Sequence, residues 1–134
     1  MTHATATTSL HELSYMYIIL HTVAHKLYDI GIEAALGNVK GYDFNACKGH
    51  ANNVVKRAKE LKAYLLLHSF TTNEQALQGE SLSTLLLKLH KLLAHMVIDE
   101  ADVLDTSVTR WLRGLQDYLG TLAHFEAASA GYHD

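Results

Sequence analysis

The stretch SLHELSYMYIILHTVAHKLYDIGIEAALGN, residues 9–38, decides the fold. Within it Leu13, Met16, Leu20, Val23, Ala24, Leu27 and Ile30 recur at steps of three and four, the spacing that lines up one side of an α-helix. Ser9 and Glu12 have the Ser-x-x-Glu spacing of a capping box, which predicts a helix start at Ser9. Gly37-Asn38 supplies a left-handed residue to end the helix after Leu36.

Three more stripes follow the same rule. Asp43 reads as an N-cap for a second helix carrying Phe44, Cys47, Ala51, Val54, Ala58, Leu61 and Leu65 and ending near Phe70. Gly79 and Ser81 interrupt the approach to a third helix, which is clear from Leu82 through Leu85, Leu89, Leu93 and Met96. Asp99, Glu100 and Asp102 lie where a helix C-terminus disfavours anions, so they read as the start of a connection. Asp105 or Thr106 then caps a fourth helix built on Val108, Trp111, Leu112, Leu115, Tyr118, Leu119, Leu122 and Phe125. Proline, the strongest helix breaker, is absent. The pattern predicts one all-α domain over residues 1–134, an up-down-up-down four-helix bundle with flexible tails at 1–8 and 128–134.

Composition excludes several functions. An apolar fraction of 49% suits a globular chain. The longest apolar runs fall well short of the ~20 residues that span a bilayer, so no membrane role is expected. The single cysteine, Cys47, forbids an internal disulfide and points to a reducing, cytoplasmic setting. Residues 1–70 carry seven Lys/Arg against five Asp/Glu, and residues 71–134 carry four against nine. A net charge of −3 argues against strong non-specific nucleic-acid binding.

Ten histidines are the compositional anomaly. Neutral imidazole is the commonest metal ligand. His21 and His25 stand one turn apart, Cys47 lies three residues before His50, and His68 shares their helix sector. Together they form a candidate site for zinc, iron or haem in the bundle interior. A carboxylate-bridged di-iron centre would also need Glu or Asp within the core stripes, and none is there. Separately, His95 faces Asp99 at i+4.

Lys48, Lys56, Lys59 and Lys62 share a broad sector of the second helix, a candidate surface for phosphate or another polyanion. No aromatic residues interleave with them to stack bases. Tyr15, Ile18, Ile19 and Ile32 add apolar surface outside the main stripe of the first helix, and Leu87 does so on the third. A helix that is apolar on two sides is buried twice or faces a partner. Catalysis has little support: Cys47 and His50 lack an orienting third group and oxyanion donors.

Asn38-Val39-Lys40-Gly41, with Phe44 three residues on, is similar to a short motif of the ferritin-like DNA-protection proteins. The similarity covers those few residues, and Leu36-Gly37 stand where that family has a metal-binding His and a Trp. The chain also resembles the hemerythrin family in architecture, a four-helix bundle with many histidines. It lacks that family's His-x-x-x-Glu, and its one His-x-x-x-His lies on the first helix.

The expectation from sequence is a small non-enzymatic interaction or regulatory module. It would form a homo-oligomer through its first and third helices and bind a protein partner. A metal- or haem-binding bundle is the alternative, and polyanion binding the second alternative.

Overall fold

In the computed structural model, residues 7–72 and 77–131 are described. They form four helices: α1 (Thr7–Ala35), α2 (Phe44–Leu67), α3 (Leu82–Asp99) and α4 (Thr106–Gly131). Among the described residues there is no strand.

Local chemistry sets the ends. Gly37, at φ +80°, closes α1 with a Schellman pair, in which the Asn38 amide donates to the Glu33 carbonyl and the Gly37 amide to that of Ala34. Ser69 takes the same left-handed role after α2, at φ 56°, with the Phe70 amide bonded to the Leu65 carbonyl. This stops α2 at Leu67, three residues before the expected end. The Asp43 carboxylate accepts from the Ala46 amide at the start of α2, and the Ser81 hydroxyl accepts from the Thr84 amide at the start of α3.

Two sequence expectations are corrected at the chain ends. Residues 7 and 8 already belong to α1, so Ser9 is an interior helical residue rather than a cap, and it is fully buried. Residues 128–131 belong to α4, and Ser129 is buried. The remaining tail residues, 1–6 and 132–134, lie outside the described residues.

The core is the four stripes meeting. Leu13, Met16, Leu20 and Leu27 of α1 are completely buried, as are Leu65, Leu89, Leu93, Leu112 and Leu115. Each such leucine contributes about 1.5–3 kcal/mol of transfer free energy. Gly31 lets α1 and α2 approach closely, since a Cβ there would sit 3.0 Å from that of Cys47.

The order of the helices differs from up-down-up-down. Ser9 and Glu12, near the start of α1, meet Glu100 and His95 at the end of α3, so these two helices run antiparallel. Tyr64 meets Asp105, His50 meets Tyr118, and Tyr42 meets Glu126, so α2 and α4 are antiparallel too. The sequence is therefore up-down-down-up, with one long crossover between α2 and α3. The crossover climbs α1: Phe70 packs its ring on His11, and the Leu77 amide donates to the Thr22 hydroxyl. Short-loop reasoning missed this because the α2–α3 connection is long enough to return to the other end.

The crossover also explains the surplus apolar surface of α1. Ile19 is fully buried and Ile18 half-buried, because α3 and the crossover cover that side. Ile19 is thus a core residue, which corrects its expected place in an interface. No helix among the described residues is long and apolar enough to cross a membrane.

Candidate metal centre

Antiparallel packing of α1 on α3 brings Glu12 to His95 and Glu100, which follow it in sequence by 83 and 88 positions. Glu12 projects from the second turn of α1, His95 from the last turn of α3, and Glu100 caps that helix. Their ligand atoms all lie within 4.8 Å of one another, the one such group of three His, Cys, Asp or Glu found among the described residues. His95 Nε2 is 3.5 Å from Glu12 Oε1 and 3.9 Å from Glu100 Oε2. Its other nitrogen, Nδ1, pairs with Asp99 Oδ2 at 2.9 Å. That bond fixes the ring and turns Nε2 toward the two glutamates.

Acceptors outnumber donors here. Three carboxylates surround one imidazole at a helix C-terminus, itself an acceptor-rich end. The Ser9 hydroxyl donates to Glu100 Oε1 at 3.3 Å. Glu12 Oε2 and Glu100 Oε2 are both shut off from solvent with no other donor bonded to them, and the two carboxyls hydrogen-bond to each other when Glu100 carries its proton. Burial, then the adjoining Glu12 carboxyl, pushes the Glu100 carboxyl up to about 7, against the opposing pull of His95 and Ser9. The Asp99 hydrogen bond, aided by the charges of Glu12 and Glu100, holds His95 above the usual imidazole value. The site is proton-hungry.

The residues singled out from sequence do not form one centre. His21 and His25 meet, with ring centroids 4.5 Å apart, but on the cleft between α1 and α2. Cys47 packs toward Gly31 of α1, where burial and then Asp43 raise its thiol. His50 faces α4 instead: its Nδ1 lies 2.8 Å from the Tyr118 hydroxyl and its ring 4.6 Å from that of Phe125. Burial lowers its pKa. His68 stacks near Tyr64 and lies 4.0 Å from Asp105. It follows His50 by 18 residues, about 27 Å along a helix, too far to share an ion.

The lysines split as well. Lys59 and Lys62 line the α1–α2 cleft, whereas Lys48 and Lys56 stand exposed outside it. Of the remaining apolar candidates, Tyr15, Ile32 and Leu87 are 41%, 49% and 52% exposed. Leu87 shares its helix face with Ile98, but exposed Lys91 and His95 interrupt the pair.

Glu12, His95 and Glu100 escaped sequence reading for specific reasons. Glu12 fitted a capping box, and Glu100 fitted a connection. The i+4 pairing of His95 with Asp99 was the one local signal. No family model, curated protein or solved structure matches this chain.

Proposed function

We propose that this protein is a divalent metal-binding helical bundle, in which Glu12, His95 and Glu100 hold one ion and Asp99 orients His95. The observation that supports the reading is a pair of solvent-shielded carboxyls, Glu12 and Glu100, crowded beside an imidazole already oriented through its far nitrogen, where a cation would replace the proton the two carboxyls share. A cation would satisfy both carboxyls and offset the burial and the Glu12 carboxyl that raise Glu100.

Geometry and donor type narrow the ion. In a tetrahedral zinc site with bonds near 2.0–2.2 Å, ligand atoms lie about 3.3–3.5 Å apart. The nitrogen–oxygen separations of 3.5 and 3.9 Å therefore need a contraction of only a few tenths of an ångström. One imidazole and two carboxylates suit zinc, manganese or ferrous iron, leaving a position for water. Because ligands must shed protons, affinity falls as the pH drops below about 7.

Zinc titration by calorimetry, with metal analysis of protein purified without chelator, tests this. The expected result is one ion per chain, lost in a Glu12→Gln/Glu100→Gln double variant and retained in His21→Gln/His25→Gln. Circular dichroism checks that both variants stay helical. Absence of binding to wild-type protein refutes the reading, and so does binding that follows the His21–His25 pair instead.

A further inference from the structure

Two groups of residues that lie on different helices converge on a second site. Between α1 and α2 runs a cleft of about 280 Å³. Its floor includes Ala24 and Ala58, both nearly fully buried, whose small side chains open a groove between the packed helices. His21 and His25 rise on the α1 side, and Lys59 and Lys62 on the α2 side. The Tyr17 ring stacks on His21 at 6.1 Å with planes only 16° apart, and Lys62 Nζ sits 6.0 Å from the centre of that ring.

The charge pattern decides between ligand classes. None of the described lining residues is acidic, although the chain as a whole carries −3. A metal ion is therefore a poor occupant for the His21–His25 pair, since two ammonium groups share the cleft and repel it. An anion gains from the same arrangement. Ammonium groups bind phosphate as point charges, and imidazole N–H groups add donors. The half-exposed His21 ring, backed by the nearly buried Tyr17, offers a stacking wall for a ring. The volume lies at the lower edge of the roughly 300–1,000 Å³ common for small-molecule clefts, which limits the occupant to a phosphate and about one ring.

We propose that the α1–α2 cleft binds a small phosphate monoester, its phosphate held by Lys59 and Lys62 and its single ring laid against His21, which Tyr17 backs. This stands apart from the metal centre and survives its failure.

The test is titration of phenyl phosphate, and separately inorganic phosphate, into ¹⁵N-labelled protein followed by amide chemical shifts. Saturable shifts should centre on Ala24 and Ala58, with phenyl phosphate binding about tenfold tighter than inorganic phosphate, the gain expected from one stacked ring. The exposed Lys59→Gln change, which disturbs no core contact, should weaken phenyl phosphate by about tenfold, one charge-assisted hydrogen bond. No saturable shift, shifts mapping elsewhere, unchanged affinity in Lys59→Gln, or equal affinity for both probes would each overturn the proposal.

Discussion

Along the seam between α2 and α4, each acceptor meets at least one donor. Tyr118 pairs with His50, Tyr64 donates to Asp105, and the Trp111 indole donates to Glu60. At the α1–α3 end, three carboxylates crowd around one imidazole, and Glu12 and Glu100 press their shielded carboxyls together. Both regions contain a histidine close to an interface. The difference teaches how to weigh such residues: a histidine with a matched neutral partner stabilises the fold, whereas surplus acceptors around one are what the proposed cation would satisfy. Each region should respond to its own perturbations and not to the other's.

The widest separation comes from adding metal. A ligand that binds only the folded state at about a thousand times its Kd stabilises by roughly 4 kcal/mol. Thermal or urea unfolding with zinc should show a gain of that order in wild-type protein and none in Glu12→Gln/Glu100→Gln. Tyr118→Phe, at the seam, should keep the zinc gain but start from a lower baseline. It strips the half-buried His50 ring nitrogen of its partner, at a cost of about 1 kcal/mol. A seam variant that abolished the zinc effect would break the comparison.

Asp99→Asn probes the metal end more gently. Asp99 touches the proposed ion only through His95, so its loss should weaken zinc by about tenfold, the mild side of outer-shell effects. Calorimetry would show weaker affinity with unchanged stoichiometry. A full loss would make Asp99 a ligand in its own right.

The sequence made the helices legible and left their arrangement hidden. Stripes such as Leu13–Met16–Leu20 and Leu85–Leu89–Leu93 were readable because burial imposes a 3.6-residue period on any helix with one buried side. Asp43 and Gly37 were readable because caps are local. Which end of α3 meets which end of α1 depends on the crossover, and no local rule fixes that. Glu12 therefore looked like half of a capping box while acting across the bundle on His95 and Glu100. Cys47 and His50 looked like neighbours, yet at i+3 they point to α1 and α4 respectively. Helical proximity in sequence told less than the partner helix each residue meets.

The smallest expected effects, those of pH on metal-free protein, give the comparison opposite signs. Burial lowers the His50 pKa in the folded state below its ordinary 6.5. The unfolded chain then takes up the proton first, so the stability from neutral His50 is present above pH 6.5 and is lost as pH falls. Glu100 works the other way. Its folded value of about 7 exceeds the ordinary 4.5, so the folded state holds the proton more tightly. The stability it contributes is fully present below pH 4.5 and is lost as pH rises through about 7. His95, raised chiefly by its bond to Asp99, adds to that second trend above pH 6.5. Urea unfolding at pH 5, 6, 7 and 8 separates the two regions. His50→Gln should remove part of the acid-side loss, and Glu100→Gln part of the gain on acidification from pH 8. If both variants tilted the profile in the same direction, the seam and the acidic end would not be the electrostatic opposites that their partners imply.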